Sequence, residues 1–387
     1  MVKQTFTPQF LSRRQLLHAT GAAGALAIFG FHVNARAVAP KAKILSTRVI
    51  SLRSHYHGWP TVARRKNGQL LLVCSGGRDD HVCPFGQVEL MRSNDDGMTW
   101  TFPRVLLDTP IDDRDAGVLE TAKGTILVTT FTSIGYQERF DTVTPHTRLQ
   151  RWVAAHNRVS ADVRKRELGQ WMIRSTDGGV RWSPHYDCIV NSPHGPIQLS
   201  DGRLLYAGKD IYVTDKWIGV CESSDDGITW RKLAQIPTRP GDDPQNYHEL
   251  HVVEAANGSI ITQIRNHNEK NDRETLQTES TDGGKSWSVP HVIDVWGLPS
   301  HLLRLHDGRL LMSYGHRRSP FGNQARVSDD SGKSWSEAIV LSGDGVGRDL
   351  GYPSTVQIAD GSLVTVWYEK LATSALAVLR QAHWKLV

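Results

Sequence analysis

The chain has 387 residues, 39% of them hydrophobic and 22% charged, with 34 Gly and 12 Trp. That balance excludes intrinsic disorder, a collagen-like repeat and a multi-span membrane protein. The formal charge of +5 gathers at the start, because residues 1–37 hold Lys3, Arg13, Arg14 and Arg36 and no acid, leaving 41 basic against 40 acidic residues beyond them. Such a near-neutral remainder lacks the basic surplus that phosphate neutralisation requires, so nucleic acid is not an expected partner.

The chain opens on Ser12-Arg13-Arg14-Gln15-Leu16-Leu17, a run of small and apolar residues from Ala19 to Phe31, and then Ala35-Arg36-Ala37 as a small-residue cleavage site. This resembles a twin-arginine export signal, which sets residues 1–37 as a leader, 38–387 as the mature domain, and the periplasm or beyond as its destination. The apolar run is short for a membrane span and is broken by Gly21, Gly24 and Gly30, so no membrane association is expected once the leader is removed. Cys74, Cys83, Cys188 and Cys221 could pair in three ways or remain buried thiols, and their spacing matches no zinc pattern.

Lys43 to Leu52 reads as a lone strand. From there two patterns recur. The first, S-x-D-x-G-x-[ST]-W, spans Ser93–Trp100, Ser223–Trp230, Ser280–Trp287 and Ser328–Trp335, with a fifth copy, Ser175–Trp182, carrying Arg181 at the hydroxyl position. Asp and Ser side chains bonding nearby N–H groups, a Gly in a left-handed position and a Trp tucked beneath make this a hairpin turn. The second is an alternating strand, a turn ending in Gly and an apolar strand, with turn glycines at 68, 124, 202, 258, 308 and 361. Their spacings of 56, 78, 56, 50 and 53 residues are each one four-stranded propeller blade plus loops. The expected fold is therefore all-β, a six-bladed propeller of antiparallel four-stranded blades. The long spacing holds residues 145–167, where Leu149, Trp152, Val153, Val159 and Val163 share a helical face, predicting a helical insertion in blade two. After Gly351 the last blade has three strands only, so the N-terminal strand is expected to complete it. A propeller clasped in this way is expected to be a monomer.

With these repeats the chain resembles the sialidase superfamily, whose six-bladed propellers carry such aspartate boxes on their outer hairpins. The boxes speak for fold; function is to be read from the inner strands. Nine residues before each turn glycine stand Trp59, Asp115, Pro193, Glu249, Pro299 and Tyr352, and equivalent positions of a radial repeat converge on its axis. The resemblance implies a tyrosine nucleophile, Tyr352, with a glutamate base, Glu249. A neutral phenol suits a sugar whose anomeric carbon bears a carboxylate, since that carboxylate repels an anionic nucleophile. Seven residues after the glycine, Arg265 matches one of the three arginines with which the family grips that carboxylate. The family's general acid lies on the loop leaving blade one, here SGGRDDHVCPFG; Asp80 takes the role, with Asp79 and His81 as rivals.

The pattern departs from the family at two points. Gly58-Trp59-Pro60 stands where an Arg-Ile-Pro motif belongs, and Asn323 and Gln324 stand near the place expected for the third arginine, with Arg326 close by in the strand and Arg317 and Arg318 on the neighbouring loop. His57, Trp59, His194, His248, His301 and His316 fall near the expected mouth, suiting hydrogen bonding and stacking on a sugar. Arg78, Asp115 and Arg317 complete the expected substrate-binding set. No metal and no cofactor is expected, since no metal-ligand or dinucleotide spacing occurs. The leading reading is a secreted exo-acting glycosidase that removes a terminal acidic sugar from a glycan. A relative acting on a uronate- or rhamnose-containing glycan through histidine catalysis, and a non-catalytic glycan-binding propeller, remain open.

Overall fold

The computed structural model describes residues 40–213 and 217–387. The leader reading falls outside these residues. The described chain forms six four-stranded antiparallel sheets; in the first five blades the strands run in chain order from the inside outward. Blade one is typical, with strands Tyr56–Arg64, Leu70–Arg78, Gln87–Ser93 and Arg104–Leu107. Apolar layers weld neighbouring blades: Leu71, Val73 and Val88 of blade one pack with Val118, Ile126 and Val128 of blade two.

Blade six is built from both ends of the chain, with Ala42–Val49 hydrogen-bonded along Val378–Leu386. The lone N-terminal strand thus closes the ring, ending at Val49 rather than Leu52. The helical insertion forms two helices, α1 (His146–Asn157) and α2 (Ala161–Glu167). Their apolar face buries Trp152, which packs on Cys83 and Tyr136.

The aspartate boxes are hydrogen-bonded turns. In the third regular copy Ser280 Oγ donates to Asp282 at 2.8 Å and accepts from Gly284 N at 2.9 Å, while Asp282 takes the N–H and the hydroxyl of Ser286 at 2.9 and 2.6 Å. The fifth copy keeps this circuit with a substitute, since Arg181 donates its N–H and its Nε to Asp177 at 2.9 and 3.1 Å. All four cysteines are buried free thiols. Among the described residues no helix is long and apolar enough to cross a membrane.

Candidate active site

The inner strands share a local distortion that builds the site. Trp59, Asp115, Glu249 and Tyr352 all have left-handed backbone, with φ of 52°, 51°, 33° and 52°. At each of them the pairing with the next strand slips. Holding a non-glycine residue there costs about 1–3 kcal/mol, and such outliers persist where the surrounding fold over-determines them. The bulges re-aim four repeat-equivalent side chains.

Two of these meet. Tyr352 Oη donates to Glu249 Oε1 at 2.5 Å. Arg265 bridges both, with Nη1 2.6 Å from Glu249 Oε2 and 3.0 Å from Tyr352 Oη, while its Nε donates to His267 Nε2 at 2.9 Å. Burial pushes Glu249 upward, but Arg265, the Tyr352 hydroxyl and Arg317 outweigh it and hold the carboxylate below its usual range. Burial, and next the Glu249 charge, push Tyr352 well above the ordinary phenol. The resting pair is thus a neutral phenol bonded to a carboxylate. Asp115 is driven to about 7 by burial and by the Glu249 charge, so it stays protonated well above the ordinary carboxylate range. His248, paired with Arg265 across the strands and 5.1 Å from the His267 ring, is held neutral, down to about 4, chiefly by burial.

Two further guanidiniums reach this centre. Arg317 lies over the Tyr352 ring at 5.6 Å, and among the described residues only its Nε forms a hydrogen bond, donating to Leu350 O at 3.0 Å. Arg114 lies over Trp59 at 4.5 Å and donates through Nη1 to Asp112 and to the His81 carbonyl. Trp59 in turn stands 6.4 Å from the Tyr352 ring. Each of Arg114, Arg265 and Arg317 has a terminal nitrogen without a hydrogen-bond partner among the described residues. Arg114 was not expected; its one signal is its place beside Asp115, a step off the repeat ruler.

Several expected residues lie elsewhere. Arg78 is only 1% exposed; it forms a two-pronged pair with Asp112 at 2.7 and 3.0 Å and turns its other N–H groups to Ser75 and to the Asp80, His81 and Asp113 carbonyls. It has nothing left for a ligand. Trp59, also 1% exposed, is a platform under Arg114 and Arg78 rather than an open face for a sugar. His57 turns away from the mouth into a groove with Val49, Met91 and Trp100, its Nε2 3.4 Å from Glu89. His194 and His301 are not on the rim but buried with His251, their rings 4.6–5.3 Å apart. His316 accepts from Arg318 Nε and stands beside Trp296. Asp80 accepts the His81 N–H at 2.7 Å and lies 3.7 Å from Arg148 of α1, and Asp79 pairs with Arg151 and Trp152. The loop acids thus face the insertion. In the His194–His251–His301 stack, Nδ1 of His251 and of His301 accepts a backbone N–H, which puts the ring proton on Nε2 and takes away the lone pair a metal would need there.

Residues 142–365 match the model of the BNR repeat-like domain family, and the chain belongs to that family. Among solved structures, a protein of unknown function from Dyadobacter fermentans is 24% identical, with a TM-score of 0.71 over 90% of this chain and 100% of that one. The NanB sialidase of Streptococcus pneumoniae is 15% identical at a TM-score of 0.62, over 84% of this chain and 68% of its own. The intramolecular trans-sialidase of Ruminococcus gnavus, solved with oseltamivir carboxylate, is 14% identical at 0.60, over 90% and 97%. At these identities the likeness is one of fold, the sialidase-type six-bladed propeller. No curated protein sequence matches the chain.

Proposed function

We propose that the protein is an exo-acting glycoside hydrolase of sialidase type, which removes a terminal carboxylate-bearing sugar from a glycan after export to the periplasm or beyond. The observation that carries this reading is the 2.5 Å hydrogen bond from the Tyr352 phenol to Glu249, bridged by Arg265. Tyr352 Oη attacks the anomeric carbon while its proton passes to Glu249, as the glycosidic C–O bond breaks and the aglycone leaves as its alcohol with a proton from a general acid. Water then releases the sugar, and Glu249 returns the proton to the departing phenol. Arg265 offers an unengaged nitrogen to the sugar carboxylate, and Arg114 and Arg317 offer theirs in place of the family arginines absent from blades one and five. Histidine catalysis through His57 or His194 finds no support, because His57 pairs with Glu89 in the groove of Val49 and Trp100, and His194 packs in the stack with His251 and His301.

The test is release of fluorophore from an aryl glycoside of sialic acid by the purified protein. Glu249→Gln is expected to lower kcat by about 10²–10⁴-fold, the worth of a positioned base, and Tyr352→Phe to lower it at least as far. Full turnover by either variant would refute the mechanism. Binding of acidic glycans with no release by the wild type would leave a non-catalytic glycan-binding propeller.

A further inference from the structure

One imidazole beside this centre has a partner set of its own. His81 Nδ1 is 2.8 Å from Asp349 Oδ1. The same oxygen accepts the hydroxyls of Tyr56 at 2.8 Å and Tyr368 at 3.2 Å, and Lys370 Nζ lies 3.6 Å from Oδ2. Against its burial, the hydrogen bonds from His81 and Tyr56 and the charges around it hold Asp349 ionised, down to about 2. An ionised carboxylate only accepts, so the proton between them belongs to Nδ1 and the Nε2 position faces outward. Nε2 has no partner among the described residues, and the side chain keeps 39% of its surface. Its ring meets the Trp59 indole edge-on at 5.1 Å, and that same indole meets Tyr352.

We propose that His81, held by Asp349, is the residue that exchanges a proton with the leaving-group oxygen. The assignment rests on the glycoside hydrolase reading above. In the first half-reaction imidazolium Nε2–H gives its proton to the glycosidic oxygen as the C–O bond breaks and the Tyr352 Oη–carbon bond forms. In the second, neutral Nε2 takes a proton from the water whose oxygen replaces the phenol. Asp80 is the less suited donor, for its carboxylate is turned to the loop's own N–H and to Arg148. Asp115 stands at the axis beside Glu249, with the nucleophile, whereas the leaving group departs from the opposite face of the sugar. Asp349 is a positioning residue, holding the ring and favouring its charged form; burial first, then Arg114 and Arg78, oppose that charge and leave the imidazole below its usual range, so the acid form is supplied on the acidic side of neutrality.

A donor to the leaving oxygen matters only where that oxygen leaves poorly. His81→Ala is therefore expected to lower kcat/KM about 10²–10⁴-fold on an unactivated disaccharide of the acidic sugar. On the aryl glycoside, whose phenol leaves unaided, the first step is expected to change less than tenfold, and added azide to restore turnover. Asp349→Asn, which keeps the shape of the site, is expected to move the alkaline limb of the disaccharide profile to lower pH, because it removes the anion that favours the imidazolium. Equal losses on both substrates, an unmoved limb, or the split appearing in Asp80→Asn and not in His81→Ala would overturn the assignment while leaving the Tyr352 mechanism in place. No release by the wild type from either substrate would overturn both.

Discussion

Arg317 touches Tyr352 through its ring-facing guanidinium and the backbone through Nε alone, so its terminal nitrogens are available to a ligand. A charge-assisted hydrogen bond of this kind contributes about 1.5–3 kcal/mol. Arg317→Ala should therefore lower kcat/KM on the acidic glycoside by about 10–100-fold, with Arg317→Lys intermediate because an ammonium lacks the fork. An unchanged value would remove Arg317 from the site. Glu249, Tyr352 and Arg265 were legible in the sequence because they sit at fixed offsets from a turn glycine, where the repeat supplies the geometry. Arg114 and Asp349 were not, since each lies off those offsets and reaches the centre only through the course of a bulge or loop. His57 was misplaced for a related reason. The pairing of its strand slips twice between Tyr56 and Thr61, so counting by twos no longer tells which face a side chain takes.

The aspartate boxes and the insertion were readable because their signals are local. A box needs only its own eight residues, and the helices announce themselves by an apolar stripe inside one overlong repeat. What the sequence withheld is the insertion's purpose, which depends on contacts between α1 and a loop some seventy residues earlier, where Arg151 and Trp152 hold Asp79 and Arg148 approaches Asp80. The boxes make an independent prediction. Asp282 orders its hairpin through Ser280, Lys285 and Ser286, on the outer edge of blade four. Asp282→Ala should lower the thermal midpoint, as loss of a capping side chain does, and leave KM unchanged. A thermal midpoint equal to the wild type, or an altered KM, would contradict this.

The ring as a whole carries an acid limit at its axis. Burial holds His301 neutral, down to about 3, and keeps His194 and His251 well below the usual imidazole value. Each group has a folded pKa below its unfolded one, so between about pH 6.5 and 4.5 the unfolded chain takes up protons that the folded chain refuses. Stability must then fall with pH, by up to about 1.4 kcal/mol per pH unit for each histidine, above the range in which ordinary carboxylates titrate. His301→Gln is expected to flatten this dependence in thermal unfolding followed against pH; an equal slope would show that the stack does not govern it.

Closure by Ala42–Val49 has a mechanical side. The pair is antiparallel and its outermost rung joins Ala42 to Leu386, so the start of the first strand and the end of the last lie at the same edge of one blade. Tension applied to the two strands at that edge loads the rung first and then the next, peeling the clasp open one step at a time instead of shearing all its hydrogen bonds together. A ring cemented by apolar layers between every pair of blades thus has one seam that opens under a small pull, and that seam joins its first strand to its last.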